Sequence, residues 1–567
     1  MKKILKMMLL LTLAAALMMS TIACTGGSSS SGSANTNTTA GGDGAADAGV
    51  TENMQSIVRF GRDWPTYYDP AVGTSYTCSI AQTNIYDALV IPEGDQMIPH
   101  VATDWEISDD GLTYTFHLRD DVKFHSGNIL KASDVVYSMK RLLTIGQGPA
   151  YLYTSFVSDF WADNDTTFVV KLSSPYGPFL NTLARFFIVE EAVVSQHYDM
   201  SKDTYGEFGD YGTNWMLIND AGSGPYKTYE FKLEEYLIGE KFDDYFLGWE
   251  EDAPQYFKIS NMADAVAQKT AFANQELEIT NETLPQETYA ELEKMGAKIA
   301  LKAGTGTWSM LINTKIAPTD DENFRKAMAY AFDYDTMCDV IFPSSTKVTG
   351  PVANGLFGKN TDLEGYSYNL DKAKEYLEKS KYAGDPASWV VTMSWCAEVP
   401  EQEKISLMYQ ASLAQLGIKL EITKKPFASM SADAQTIETT PNTSIVQWSP
   451  DYFEAGSVFK TRYHSDSTGT WEQMEWLLDS DLDAKIDDAL GTSDRAEREA
   501  KYKEIEAYIY DLCPTIWMGS NSSLMAVQPY VEWDVLTASE EGKTLLQIPG
   551  YDMYFHDMKV HVDQRTK

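Results

Sequence analysis

Few of the reactive side chains in this sequence fall into a spacing that performs chemistry. The seven histidines include His117 and His125 close together. Neither has a second donor at helical or finger spacing, so both read as structural or solvated and no metal is expected. Five cysteines contain no CxxC pair. The wide separation of Cys78, Cys338, Cys396 and Cys513 argues against a zinc site and a dense disulfide framework, leaving one or two bridges or buried free thiols open. There is no GxxxxGK[ST] loop, HExxH or GxSxG elbow, and Gly304-Thr305-Gly306 lacks the third glycine of a dinucleotide fingerprint. Among 82 acidic residues a glycosidase pair stays open on counting alone, with no signal for one. No catalytic residue and no cofactor emerge.

A binding chemistry can be described, though spacing alone does not place it. In Trp448-Ser449-Pro450-Asp451-Tyr452 a carboxylate stands between aromatics. A fixed carboxylate is what an ammonium needs on entering a poorly solvated cleft; a Pro-Asp pair is usually a turn, and on these residues alone the turn is the preferred reading. Arg462 can offer a ligand carboxylate a forked pair, and Trp308 and Trp517 can offer ring faces. Solvation of the arginine and core packing of the rings suit them too.

The elements that must carry these groups are mixed. Residues 112–119 alternate, with Leu112, Tyr114, Phe116 and Leu118 on one face of a strand after an Asp110-Gly111 turn. Ser133 reads as an N-cap ahead of a helix whose stripe is Val135, Val136, Met139, Leu142 and Leu143. Further on, an apolar strand at 389–395, a helix at 400–416, Gly417 as its stop and the alternating Ile418, Leu420 and Ile422 spell a βαβ crossover. Helices are expected around 323–332, with Phe324, Ala327, Met328 and Ala331 inward, and around 371–379, with Ala373, Tyr376 and Leu377 inward. No internal repeat is present. At 567 residues and 44% apolar, the chain can bury two or three lobes.

Before those elements comes a different kind of sequence. Lys2, Lys3 and Lys6 precede an apolar run from Met7 to Met19 that is too short for a comfortable membrane span and reads as a secretory leader. Its end, Ser20-Thr21-Ile22-Ala23-Cys24, resembles a bacterial lipobox, with Thr21 where leucine is usual; the resemblance implies cleavage at 1–23 and a lipid on Cys24. Residues 25 to 52 are nearly all small and polar, a flexible tether (24–53) with an end-to-end distance of about 30 Å. Losing the leader takes the formal charge from −37 to −40. A surface this acidic disfavours nucleic acid and anionic lipid, so no nucleic-acid partner is expected.

Within residues 102–138 one pattern is specific: Ala102-x-x-Trp105, Asp110-Gly-Leu-Thr-Tyr-Thr-Phe-x-Leu-Arg119, Val122-Lys-Phe-His-x-Gly127 and Leu130-x-Ala132-x-Asp134-Val-Val-Tyr-Ser138. Agreeing with it in order along the chain are Asp69-Pro70, Tyr86-Asp87-Ala88-Leu89, Gly222-x-Gly224-Pro225-Tyr226, Asn313 ahead of Phe324-Arg325-Lys326-Ala327, and Leu370-Asp371-x-Ala373. This set resembles the family 5 extracellular solute-binding proteins, which include oligopeptide and dipeptide receptors of ABC importers, and covers the chain from about residue 55 to its end. The resemblance implies an α/β, two-lobe periplasmic-binding-protein-like fold (type II, cluster C) with mixed sheets, a discontinuous first lobe and two hinge segments. Lobe I would comprise 54–86, 222–304 and 523–567, with a sub-lobe at 87–221; lobe II would be 305–522. The hinges would lie near 304–308 and 519–523. It also implies that Trp448, Asp451 and Tyr452 line the cleft, with Asp451 meeting a peptide α-ammonium, and that Trp308, Trp517 and Arg462 stand nearby. The expected protein is a monomeric, non-enzymatic receptor on the outer face of the cell membrane, touching the membrane only through its lipid and passing short peptides to a permease with ATPase subunits. Alternatives are an oligosaccharide or other small solute in the same fold, nickel being disfavoured by the scattered histidines, a signalling receptor, or an exported hydrolase.

Overall fold

The computed structural model describes residues 55–566 except positions 283, 544, 546 and 547. The leader, Cys24 and the tether lie outside the described residues. Among the described residues, no helix is long and apolar enough to cross a membrane.

Three principal sheets carry the architecture. In the first, Ile57–Arg62 pairs in parallel with Tyr256–Asn261, which is followed by the antiparallel strands Tyr236–Lys241 and Tyr226–Lys232. Val58, Phe60, Phe257 and Ile259 are fully buried on it. Bridges from Phe60 to Ile279 and from Ile279 to Val527 extend it toward the antiparallel ribbon formed by Lys298–Lys302 and Ser523–Val527. Early, middle and late chain thus meet in one layer.

The second sheet is wholly antiparallel, in the order Ala102–Ile107, Thr113–Leu118, Thr167–Leu172, Val157–Asn164. The alternation expected from 112 to 118 holds from 113 onward: Tyr114, Phe116 and Leu118 are buried, while Thr113, Thr115 and His117 are partly exposed, as is Leu112 just before the strand. Helix Ala132–Ile145 packs on this sheet with Val135, Met139 and Leu142 inward. It starts earlier than Ser133 predicts. Lys131 is the extended cap residue, and the Asp134 carboxylate accepts its backbone N–H at 3.0 Å, so Ser133 lies inside the first turn. Arg141 on the same helix forms a buried two-pronged pair with Asp69 (2.6 and 2.7 Å) and donates to the Tyr211 carbonyl. Losing one partner would strand a buried charge at a cost of about 3–5 kcal/mol.

The third sheet runs Lys419–Lys425, Val390–Cys396, Thr443–Trp448, Thr307–Ile312, Thr515–Ser520; the first two pairings are parallel and the last two antiparallel. The expected crossover is present, with Val391 opposite Leu420 and helix Glu401–Gln415 between the strands. Helices Glu322–Tyr330 and Leu370–Lys379 also form, capped by the side chains of Asp321 and Asn369. Phe324, Ala327, Met328, Ala373 and Leu377 enter the core of this sheet with Met310, Met393, Ile405 and Ile445. A larger apolar cluster joins the first two sheets and reaches Trp448, Tyr452, Phe459 and Tyr502. Cys78, Cys338, Cys396 and Cys513 are free thiols, all buried.

Candidate functional site

The chain passes twice between the 298–302/523–527 ribbon and the third sheet, through 303–306 and through 521–522. These two passages are laced together. The Gly304 N–H donates to Ser522 Oγ (2.9 Å), the Gly306 N–H donates to Asn521 Oδ1 (3.0 Å), and the Asn521 N–H returns to the Gly306 carbonyl (3.2 Å). Asn521 Nδ2 then donates to Ser449 Oγ at 2.8 Å, tying the passages to the segment that carries Asp451. A Cβ on Gly306 would stand 1.8 Å from the Trp448 carbonyl oxygen, and one on Gly304 2.1 Å from Asn521 Oδ1. Only glycine allows backbone to pass this close.

Strand Thr443–Trp448 ends where Pro450 turns the chain, and the Asp451 N–H is held by Ser457 Oγ at 2.9 Å. The partly exposed Asp451 carboxylate accepts a 2.7 Å hydrogen bond from Tyr151 Oη. Tyr151 opens the short helix Tyr151–Thr154 on the body built around the second sheet, so this bond spans the gap between that body and the third sheet. Partial burial, and then the Asp451 charge, hold the Tyr151 phenol above its ordinary pKa, keeping it a donor; Arg185 acts on it in the opposite sense.

Trp448 is buried, and its Nε1–H donates to Glu472 Oε1 at 3.1 Å. Burial and the neighbouring Asp451 charge raise the Glu472 pKa against that hydrogen bond. Tyr452 is buried edge-on to Tyr176, with ring centroids 6.2 Å apart, and so packs across the same gap. The other expected residues stand further back. Arg462 is 2% exposed and donates to Glu475 Oε1 at 3.1 Å, its guanidinium carbon 6.0 Å from the Trp448 ring centre. Glu475 also accepts from Thr515 Oγ1 at 2.7 Å, and burial raises its pKa. Trp517 donates to Tyr463 Oη at 2.9 Å and lies against Tyr510 and Tyr366. Trp308 stacks on Phe342 at 4.7 Å. The structure therefore brings Asp451, Trp448 and Tyr452 together at the gap, places Arg462 and Trp517 behind them, and keeps Trp308 packed on the sheet.

Sequence reasoning misses the far side of this site. Glu454, 1% exposed, is clasped by Arg498 (2.9 and 3.0 Å) and Tyr502 (3.0 Å), and also accepts from Asn181 Nδ2 (2.5 Å) on the opposite body. The Gly177 N–H donates to the Leu490 carbonyl (2.8 Å), and Arg495 pairs with Asp95 (2.8 Å) along the same edge. These partners lie hundreds of residues apart in several cases, and no local spacing announces them. Among the described residues, no group of three histidine, cysteine or acidic side chains is arranged to hold a metal.

Residues 96–470, more than half of the chain, match the family model described as bacterial extracellular solute-binding proteins, family 5 Middle. The chain belongs to this family. Among family 5 relatives, a probable D,D-dipeptide-binding periplasmic protein, DdpA of Escherichia coli K12, is 26% identical over 447 residues, covering 78% of this chain and 81% of its own length. Heme-binding protein A of Haemophilus influenzae is 26% identical over 522 residues, covering 87% and 90%. The ABC transporter-associated periplasmic binding protein DppA of Helicobacter pylori, solved with the peptide STSA, superposes with a TM-score of 0.67 at 22% identity, covering 90% of this chain and 99% of that one. The fold is thus that of family 5 periplasmic binding proteins, mixed α/β with several separate sheets, and the family is one of solute binding.

Proposed function

We propose that this protein captures short peptides between its two lobes and hands them intact to an ABC permease, with Asp451 receiving the ligand's α-ammonium. The lobes we assign are 54–86, 222–304 and 523–567 with the sub-lobe 87–221, against 305–522; the laced passages at 303–306 and 521–522 act as the hinges. The observation that carries the reading is the 2.7 Å bond from Tyr151 to Asp451. It supports the reading because this carboxylate accepts a donor from the opposite body, a position an incoming ammonium would take or share. A carboxylate accepts several donors, so the ligand and Tyr151 can both bind it. Trp448 and Tyr452 form the wall beside it, while Arg462, Trp517 and Trp308 support that wall from behind. Closure is favoured because the ligand touches both lobes only in the closed state.

The dipeptide-binding relative and the peptide-bound fold neighbour support a peptide ligand; the heme-binding relative shows that the family's cargo varies. The protein is held at the extracytoplasmic face of the cell membrane through lipid on Cys24 and acts without cofactor. Calorimetric titration with a panel of free tripeptides tests the ligand class, with binding in the micromolar range or tighter expected and recovery of unmodified peptide afterwards. Absence of peptide binding, or cleavage of the peptides, refutes the reading. Mass spectrometry of whatever copurifies gives the passenger's chemical class directly.

A further inference from the structure

Five carboxylates belong to the stretch from Trp448 to Glu475; Asp466 is an exposed partner of Lys460, and the partners of the other four divide them into two kinds. Glu454 is neutralised by Arg498 at 2.9 Å and Glu475 by Arg462 at 3.1 Å, all four groups buried. Asp451 and Glu472 are partly exposed, and their hydrogen bonds come from uncharged donors, Tyr151 Oη and Trp448 Nε1. Neither forms an ion pair among the described residues. Asp451 follows Trp448 by three residues and the Trp448 indole holds Glu472, so both carboxylates stand by the end of strand Thr443–Trp448; both act on the Tyr151 phenol, and Arg185 acts on it in the opposite sense. The indole N–H of Trp448 fixes where Glu472 points. Two like charges held this way repel; Arg462 eases Glu472 from a distance but has its ion pair with Glu475, and a single ammonium meets only one of the two.

We infer that Glu472 makes the gap selective for ligands bearing a second cationic group beside the terminal ammonium, that is, peptides whose first residue is lysine or arginine. In such a residue the side chain springs from the same Cα as the ammonium, so one charge can meet Asp451 while the flexible stem carries the other to Glu472. This inference rests on the peptide reading and on Asp451 as the ammonium anchor. Trp448 is here a positioning residue acting through Glu472.

The test uses the whole chain and three peptides, Lys-Ala-Ala, Ala-Ala-Lys and Ala-Ala-Ala, in calorimetric titrations at neutral pH. The two lysine peptides carry the same net charge, so the acidic surface attracts them equally and only placement distinguishes them. Lys-Ala-Ala is expected to bind about tenfold tighter than Ala-Ala-Lys, and Glu472→Gln to bring that ratio to within about twofold. Gln keeps an acceptor for the Trp448 N–H, so the local geometry is retained. Trp448→Phe, which frees the carboxylate, is expected to narrow the ratio as well. A wild-type ratio near one, or a ratio unchanged in Glu472→Gln, overturns the inference while leaving peptide binding standing. If none of the three peptides binds, the peptide reading itself fails and the inference with it.

Discussion

Asp451→Asn isolates the charge at the gap with almost no change of shape. The backbone N–H of residue 451 stays on Ser457, and the new amide oxygen still accepts from Tyr151, so the fold around the gap is unaltered. What disappears is the negative charge proposed to meet the ammonium. Breaking a buried pair by removing one partner costs about 3–5 kcal/mol. Because Asp451 is partly exposed, the lower end applies, about 3 kcal/mol, which corresponds to a loss of affinity of roughly 100-fold or more. Acetylating the peptide's amino end removes the other half of the same pair. Titrations of free and N-acetylated tripeptide into wild type and Asp451→Asn form a closed cycle. Each single change is expected to cost about two orders of magnitude and the double change little more than either alone, a coupling of about 3 kcal/mol. Losses that simply add, or a wild type that binds the acetylated and free peptides equally, would refute Asp451 as the anchor.

Three further outcomes are expected. Glu454→Gln leaves the buried Arg498 without its counter-charge and should lower stability by about 3 kcal/mol, read from denaturation in urea, whereas Asn181→Ala, which removes only the contact across the gap, should cost about 1 kcal/mol. His125 has both ring nitrogens against acceptors, Asp220 Oδ1 (2.6 Å) and the Gly224 carbonyl (3.0 Å), which requires the imidazolium. Burial opposes that charge, but Asp220 and the carbonyl outweigh it and raise the His125 pKa. Its stabilisation is therefore complete below about pH 6.5 and fades as pH rises through the raised folded value, so the difference in thermal midpoint between wild type and His125→Gln should shrink on going from pH 6 to pH 9. Finally, Cys24→Ala should move the protein from the membrane pellet to the soluble fraction, checked by fractionation and immunoblot; retention in the pellet would remove the lipid anchor from the account.

Much of the scaffold was legible because it depends on near neighbours. The alternation through Tyr114, Phe116 and Leu118 sets which face is buried, and the strand, helix and strand from 390 to 425 follow from a change of period with Gly417 between them. The Ser133 cap was misread because Ser and Asp both suit a first turn, and the choice went to the carboxylate that reaches back to Lys131. The motif around Asp451 singled out one carboxylate of 82, but only through family likeness, since Pro-Asp alone is also a turn signal.

Sequence alone thus determined the local elements, which are written in periodicity and short spacing, and the family, which is written in its motifs; the segment carrying the proposed anchor followed only from that likeness. Tertiary structure decided who meets whom. Tyr151 reaches Asp451 across 300 residues, Asn181 reaches Glu454 across 273, and Arg462 already has a buried counter-charge in Glu475. The physical reason is that hydrophobic patterning specifies that a face is covered, whereas a hydrogen bond or ion pair depends on distances of a few ångström that exist only once the lobes have packed.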